Sequence, residues 1–584
     1  MFAGAFSPNM WAPEDADFSQ EDTGLIFVLS AWHELFHGFT PDSHQPRLHN
    51  VASLVDELLD IGLRWKLESR FATHANKLKE ELRLLIDAEV DILSLIPTYK
   101  SRLEQLAGSK TPEAVVAGAS ILSSYRSMYL LAFEEWARGA IEKLPSNKQE
   151  ALCAIRRLAT FAFQHGKEDD DVWKPSIAID AKTPLEAFDQ LLELTKAKEK
   201  TYCCTLSIIG DVDGPHSVAR KQGYRVVSAK ALPDEYLSSI SAHGNNAIHI
   251  QLEVEALSIR AAVASARRKL GIGIGFVSLY RNPSELRIHP TASVTYQGES
   301  RVFLQSEQAF RRLYPRTHSK RDIDTAVQLV STSKIDIRVL AAVEQLALAS
   351  ASTDTRTRFV NLWSALETLA GAHEGESTLE RVCQLITPLV TSRKVHKITR
   401  YLTILCQRHA KVIKSEALGP GFTLRRGKIR IEDMLVSLSS PKDDPKIVGL
   451  LKFANHPLLR NHIYSTWKIF HKPRDLLQKI CDSKQRLDWQ LARIYRARNL
   501  LVHDGIEVPH IVPLLDNLQN YASMLVQRLV HELKENEHWT VRHAIEYWIS
   551  RMTHVENSLK ASPHCLTVGD FLETNETTKL WQRV

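Results

Sequence analysis

Cysteine is scarce in this sequence, and its spacing excludes a thiolate zinc site. The 584-residue chain has seven cysteines, an odd number, and no two of them form a Cys-x-x-Cys pair. A metal-binding or redox thiol motif normally needs such a pair. We therefore expect a reduced cytosolic protein. The cysteines are Cys153, Cys203, Cys204, Cys383, Cys406, Cys481 and Cys565.

Long apolar runs are also missing. No run approaches the roughly 18 apolar residues that suggest a transmembrane helix. The first six residues, Met-Phe-Ala-Gly-Ala-Phe, lack the basic segment and apolar core of a secretory signal. We expect a soluble cytoplasmic protein with no membrane partner.

The overall composition is that of an ordinary globular protein. Hydrophobic residues make up 44% of the chain and charged residues 24%, which is close to the average for soluble domains. The formal net charge is +6 and the isoelectric point is near 8.8. This mildly basic balance permits a nucleic-acid partner without requiring one. The length excludes a single core and predicts about three or four domains.

Hydrophobic periodicity predicts a mostly α, multidomain protein. We expect an N-terminal helical domain, a small central α/β domain with a mixed sheet, and a C-terminal helical bundle. The predicted segments are a helical domain at 1–165, an acidic linker at 166–182, the α/β domain at 183–310, a basic junction at 311–334, the C-terminal helical domain at 335–560 and a tail at 561–584.

The prediction of a central α/β domain rests on a change of pattern after residue 200. Residues 247–254 alternate between apolar and polar side chains, which is typical of a half-buried strand. A helix at 255–270 and a strand at 274–280 follow, and Gln297-Gly298-Glu299 indicates a hairpin. No catalytic constellation is evident in this domain.

Residues 495–505 combine charge with the end of a helix. Leu487, Leu491 and Ile494 recur at helical spacing. Arg498 falls on the same apolar line. A guanidinium on a core-facing stripe is costly unless an anion meets it. That cost makes this stretch the first place to look for function.

The spacing of three polar residues within this stretch also points to a site. Asn499 and His503 are four apart and therefore lie on one face of a helix. Arg498 and His503 are five apart and would diverge by roughly 140° in a straight helix. They converge only if the helix ends there, and Gly505 permits such an end. The plainer alternative is an arginine and a histidine that cap and solvate a helix end.

The pattern Arg498-Asn499-x-x-x-His503 resembles the R-(N/D/H)-x-x-x-H motif of the HEPN superfamily. This superfamily consists of helical bundles, many of which are metal-independent endoribonucleases. The surrounding sequence resembles the Apea-like HEPN group in residues 358–369 and 493–505. The resemblance covers roughly the last 220 residues.

The resemblance implies an endoribonuclease with Arg498, Asn499 and His503 as catalytic residues and without a cofactor. The substrate would be RNA, such as tRNA or mRNA, and the products would be a 2′,3′-cyclic phosphate and a 5′-hydroxyl. Two motifs would line a shared cleft in a homodimer. Glu367, on the neighbouring predicted helix, is a candidate to orient Arg498.

The resemblance also implies a biological setting. The protein would be a toxin-like effector of antiphage defence that acts through abortive infection. Its N-terminal and central domains would hold it inactive until an unknown trigger arrives, and a phage component is one class of trigger.

Two basic clusters lie between the two segments that carry the resemblance. Such clusters are usually solvated surface, but beside the motif they would attract an RNA backbone. The first contains Arg393, Lys394 and Lys397, and the second contains Arg425, Arg426, Lys428 and Arg430.

Two other functions remain open. One is a non-catalytic RNA-binding or nucleotide-binding module. The other is a zinc metalloprotease, because His33-Glu34-x-x-His37 would place two imidazoles on one helix face with Glu34 as general base. Its third ligand has to be guessed, with Glu57 and Glu68 as candidates. The plainer reading of this segment is a buried helix with two hydrogen-bonded histidines.

Overall fold

The protein is mostly helical, with a five-stranded sheet between an N-terminal and a C-terminal helical region. This confirms the predicted fold class. The computed structural model describes residues 20–36, 50–144, 146–164, 169–196, 199–210, 213–241, 247–280, 287–304, 336–352, 354–371, 377–412, 422, 424–425, 428–441, 444–505, 511–536 and 538–561. The predicted basic junction at 311–334 and residues 562–584 of the predicted tail lie outside these ranges.

The N-terminal region is a set of helices packed around a large apolar core, which we call the first core. Two of these helices begin with proline after a threonine N-cap, at Thr111 and Thr183, whose hydroxyls each accept a backbone N–H. The helices are α1 (Gln20–Leu35), α2 (Val51–Leu67), α3 (Ala72–Ala88), α4 (Val90–Ser94), α5 (Pro97–Gly108), α6 (Pro112–Ser124), α7 (Arg126–Glu142), α8 (Lys148–Gln164), α9 (Asp169–Ser176) and α10 (Pro184–Thr195).

Two of these helices lie where the sequence analysis expects something else. Helix α9 occupies part of the predicted acidic linker, and its Val172 is fully buried. Helix α10 falls at the start of the predicted 183–310 domain, but its Phe188 and Leu191 belong to the first core. Local periodicity cannot predict that a short helix packs on a core formed by distant parts of the chain.

The central region is an antiparallel sheet with two helices, α11 (Asp213–Lys221) and α13 (Ile259–Tyr280), against its apolar face. Its strands, β1 (Lys200–Ile209), β2 (Arg225–Val227), β3 (Ala247–Ala256), β4 (Arg287–Tyr296) and β5 (Glu299–Leu304), are ordered β2-β3-β1-β4-β5. Leu206 and Ile250 face the apolar sides of α11 and α13. Helix α12 is Asp234–Ser241.

Two details of the central prediction are wrong. Every described pairing in the sheet is antiparallel, so the sheet is not mixed. The predicted strand at 274–280 is the last part of helix α13, because a short apolar run suits a buried helix as well as a strand. The predicted hairpin is confirmed, and its Gln297 and Gly298 both have positive φ, as a tight two-residue turn requires.

The C-terminal helices divide between the first core and another, which we call the second core. Helices α17 to α20 join the first core, and α14 to α16 and α22 build the second. The helices are α14 (Ile337–Ala351), α15 (Thr355–Ala370), α16 (Thr378–Ser392), α17 (Lys394–Val412), α18 (Ile431–Ser439), α19 (Pro445–Phe453), α20 (Pro457–Phe470), α21 (Pro473–Asn499), α22 (Ile511–Glu535) and α23 (Val541–Ala561), with a small hairpin of β6 (Leu424–Arg425) and β7 (Lys428–Ile429) before α18.

Helix α21 connects the two cores. Its early residues Leu476 and Ile480 lie in the first core, and its later residues Leu487, Leu491 and Ile494 lie in the second. At 27 residues it is about 40 Å long. The predicted Arg498 motif therefore lies at the end of a helix that both helical regions hold. No helix among the described residues has the length and apolarity needed to cross a bilayer.

Two glycines of α13 allow a matched test of the packing of the central region. A Cβ on Gly273 would lie 2.5 Å from Cγ1 of Val218 on α11, whereas a Cβ on Gly275 would meet nothing within 4 Å. We expect Gly273→Ala to lower the free energy of unfolding by about 1–3 kcal/mol, because α11 must move away. Gly275→Ala should raise it by about 0.5–1 kcal/mol, because alanine favours the helix. Urea denaturation of both variants measures this, and equal effects would show that α11 does not pack closely on α13.

Candidate functional site

The candidate site lies where helix α21 stops. The α-helix ends at Asn499 and continues into one π-helical turn, Leu500–Asp504, which we call the wide turn. Gly505 follows with φ 64° and ψ 12°, and its N–H donates to the carbonyl of Leu500. The left-handed conformation is open to glycine without steric cost. Isolated π-helical turns recur at functional sites.

The wide turn brings the predicted residues together. Nη1 of Arg498 lies 3.2 Å from Nε2 of His503 and 3.2 Å from Oδ1 of Asn499. Nη2 of Arg498 lies 3.4 Å from Oε2 of Glu367 on α15. Because arginine can only donate, Nε2 of His503 accepts in this arrangement and its proton is on Nδ1. The three residues of the motif and Glu367, the predicted orienting residue, therefore meet around one guanidinium.

The cause of the convergence differs in part from the sequence-based expectation. The helix does end at Gly505, as expected. However, Arg498 and His503 converge because the intervening turn is closed by hydrogen bonds between residues five apart rather than four. A wider turn reduces the angle between residues five apart. Sequence spacing could not reveal this change in helix type.

The side of the site that carries His503 faces solvent. His503 and Val502 are exposed, and the side chains of Arg498 and Glu367 are 21% and 26% exposed. Nε of Arg498 is buried and has no partner within the described chain. Leu501 is buried and Val502 is exposed, so the apolar side of this helix ends at Leu501. A polynucleotide can thus reach His503 and the outer nitrogens of Arg498.

Helix α15 forms the wall behind the site. Phe359, Trp363 and Leu366 are completely buried in the second core. The two aromatic residues are therefore core residues. The ring of Trp363 lies 5.6 Å from that of Tyr495 on α21. Packing of α15 on α21 thus fixes the position of Glu367 relative to Arg498.

A buried ion-pair cluster joins α21 to the N-terminal helices just before the motif. Nε of Arg493 lies 3.0 Å from both carboxylate oxygens of Glu57 on α2, and Nη2 lies 2.5 Å from Glu81 on α3. Arg496 also pairs with Glu57, at 2.5 Å. Burial alone lowers the pKa of Arg493, but the two carboxylates outweigh it and hold that pKa above its ordinary value. Burial of the charged group therefore costs more free energy at Arg493 than at Arg498.

An aromatic contact lies beside this cluster. The ring of His74 on α3 is 6.1 Å from that of Tyr495, the same ring that contacts Trp363 of α15. Burial, together with the positive charges of Arg496 and Lys77, lowers the pKa of His74 to about 4. His74 is therefore neutral at physiological pH and packs as an aromatic residue.

The basic clusters expected to bind RNA lie on elements that pack in the first core. Lys394 is buried, and Arg393 and Lys397 are half-buried at the start of α17, whose Tyr401 belongs to that core. They are not the solvated surface expected of a charge run. In the second cluster Nε of Arg430 lies 3.4 Å from Glu432. The backbone of Arg425 and Lys428 forms the β6–β7 hairpin, and Arg426 lies outside the described residues.

In the described part of the His33-Glu34-x-x-His37 segment, His33 and Glu34 are buried, and Leu35 and Phe36 pack against the first core. Both oxygens of Glu34 are used, since it accepts from the hydroxyl of Tyr401 and lies 2.7 Å from Nε2 of His462. Burial lowers the pKa of His33. His37 lies outside the described residues.

The third zinc ligands considered for that segment are engaged elsewhere. Glu57 pairs with Arg493 and Arg496, and Glu68 lies 2.6 Å from Arg70. Within the described ranges, no group of three histidine, cysteine or acidic side chains is suited to hold a metal.

Sequence reasoning missed two sets of residues at this site. The acidic partners of Arg493 and Arg496 are more than 400 positions away in the chain, so no local pattern identifies them. Arg356, on α15, donates to the backbone carbonyl of Leu501 within the wide turn. The available signal was the charge itself, because Arg493 and Arg496 lie within five positions before Arg498.

Removal of the central guanidinium of the cluster tests how strongly the N-terminal helices hold α21. We expect Arg493→Met to lower the free energy of unfolding by about 3–5 kcal/mol, because Glu81 and Glu57 are left without their main partner. Arg474→Met, at an exposed position of the same helix, should change it by less than about 0.5 kcal/mol. Urea denaturation compares them, and similar values for the two variants would contradict a stabilising cluster.

The depressed pKa of His74 predicts a pH dependence. The folded state binds fewer protons than the unfolded state between pH 4 and the ordinary pKa of 6.5. The contribution of His74 to stability is therefore present above pH 6.5 and is lost as the pH falls towards 4. His74→Phe keeps a ring beside Tyr495 and removes the titration. The difference in Tm between wild type and His74→Phe should change across this window, and a constant difference would contradict the shift.

Comparison with known proteins gives no relative from which a role can be transferred. No protein-family model matches the chain. No curated protein and no solved structure matches it either. Any function proposed for this protein therefore has to be carried by its own residues.

Proposed function

We propose that this protein is a metal-independent endoribonuclease of the HEPN type, with Arg498, His503 and Asn499 at its active site. The observation that carries the proposal is the exposed imidazole of His503 with its Nε2 3.2 Å from Nη1 of Arg498. A general base and a permanently charged guanidinium are thus next to each other at an open helix end. Glu367 supports the arrangement from the adjacent helix.

RNA supplies its own nucleophile, so the protein has to move protons and stabilise charge. His503 takes the proton of a ribose 2′-hydroxyl as the oxygen attacks the adjacent phosphorus. The P–O5′ bond breaks, and the departing 5′ oxygen takes a proton. The products are a 2′,3′-cyclic phosphate and a 5′-hydroxyl. A single histidine suits one of the two proton transfers best, and in a homodimer the second motif supplies the other.

Arg498 stabilises the negative charge that develops on the phosphoryl oxygens. Its planar guanidinium presents paired donors that match two such oxygens. In the free protein Nη1 and Nη2 contact His503, Asn499 and Glu367, so they are aligned before RNA arrives. Glu367 orients Arg498 and offsets part of its charge. A bound phosphate then competes with these neighbours for the outer N–H groups.

The wider setting follows from the same resemblance. We propose a cytoplasmic, toxin-like effector that acts in antiphage defence by abortive infection on RNA such as tRNA or mRNA. Its N-terminal and central regions would regulate it until a trigger, such as a phage component, arrives. The cluster around Arg493 supports this part of the proposal, because it ties α2 and α3 to the helix that carries the motif.

Incubation of purified protein with total cellular RNA and with tRNA in EDTA tests the proposal. We expect cleavage by wild type in EDTA, and a loss of roughly 10²- to 10⁴-fold in His503→Ala, because proton transfer is removed. Arg498→Lys should also lose activity, since lysine keeps the charge and loses the fork. His554→Ala, an exposed histidine on α23, is the matched control and should cleave like wild type.

Three outcomes separate the candidate functions. Cleavage that disappears in EDTA contradicts the metal-independent mechanism. RNA that is bound but not cut by wild type, with binding weakened in Arg498→Lys, identifies a non-catalytic binding module. Cleavage products that end in a 3′-hydroxyl would also contradict attack by the 2′-hydroxyl.

A further inference from the structure

The wide turn needs support from outside the helix. The last turn of any helix leaves carbonyl groups without a partner in the helix. Here the N–H of Gly505 returns to the carbonyl of Leu500. The next carbonyl, that of Leu501, accepts instead from Nη2 of Arg356 on α15. The support for the turn thus comes from a side chain 145 positions earlier in the chain.

Arg356 lies near the turn on both sides of His503 in sequence. Besides bonding to Leu501, its Nη2 lies 3.9 Å from the position that a Cβ on Gly505 would occupy. His503 lies between these two residues. A guanidinium also suits this location because positive charge is favourable at a helix C-terminus. Its several N–H donors can satisfy more than one carbonyl.

Helix α15 therefore reaches the motif at two points. Glu367, near its end, contacts Arg498, and Arg356, in its first turn, contacts the wide turn that carries His503. Between them the buried Trp363 packs against Tyr495. One rigid helix thus fixes both members of the Arg498–His503 pair relative to each other.

We propose that Arg356 is a positioning residue, which holds the wide turn in the conformation that directs His503 towards Arg498. For its effect on RNA cleavage this inference rests on the proposed function. Its conformational part does not, because it concerns the backbone of residues 500–505 in the free protein.

The test combines backbone hydrogen exchange with steady-state cleavage of RNA by the full chain. We expect Arg356→Ala to raise amide exchange in residues 500–505 by at least about tenfold. It should lower kcat by as much as about 10²-fold with little change in KM, because the base is misplaced and RNA binding is not removed. Arg356→Lys retains one donor and the charge, so it should recover part of both losses.

Arg381→Ala is the matched control. Arg381 also donates to a carbonyl at a helix end, that of Gly371 after α15, and it is not part of the motif. It should lower Tm to a similar extent without changing exchange in 500–505 or kcat. If Arg381→Ala lowers kcat as much as Arg356→Ala, the effect is general destabilisation and the inference is overturned.

The remaining outcomes separate this inference from the proposed function. Unchanged exchange in 500–505 of Arg356→Ala overturns the positioning role, and a raised KM with unchanged exchange assigns Arg356 to RNA binding instead. If wild type cleaves no RNA but Arg356→Ala still loses protection in 500–505, the positioning role stands and the nuclease proposal fails.

Discussion

The fully buried guanidinium of Arg493, shared between Glu57 and Glu81, is the interaction on which the rest of the arrangement depends. A buried charge of this kind is stable only while all its partners are in place. It therefore requires α2, α3 and α21 to meet in one geometry. Because α21 also runs through both cores, the position of its last turn is tied to the N-terminal helices as firmly as to its own bundle.

The motif itself is built in the opposite way. The three residues of the motif lie at a helix end and are half-exposed or exposed. Each is held by contacts with its neighbours rather than by burial. Such a location leaves the imidazole free to meet a large substrate. The cost is that a helix end has few backbone hydrogen bonds of its own. Helix α15 offsets this through Glu367 and Arg356.

The same contrast bears on regulation under the proposed function. The arginines of the cluster lie two and five positions before Arg498, so a rearrangement of α2 or α3 that separates Glu57 from Arg493 would act on the helix that carries the motif. Buried ion pairs are poor stabilisers compared with apolar packing but are sensitive to the loss of one partner. A linkage of this type suits a protein whose N-terminal region has to restrain its C-terminal motif.

Much of the helical architecture could be predicted from sequence, because apolar periodicity is a local property. The helix around Trp363, the helix around Leu487 and Leu491, and the stop at Gly505 all follow from patterns within a few turns. The prediction failed where one short run fits two structures, as at residues 274–280, and where a residue of a charge run proved to be buried, as at Lys394. In both cases the deciding contacts come from elements distant in sequence.

By itself the sequence identified the three residues of the motif, because Arg498, Asn499 and His503 lie within six consecutive positions. Only the tertiary structure decided that they meet, through a π-helical turn, and that Glu57, Glu81 and Arg356 hold them there. The reason is physical: spacing along a chain fixes angles within one regular helix, but a change of helix type and the partners of a buried charge depend on packing between elements hundreds of residues apart.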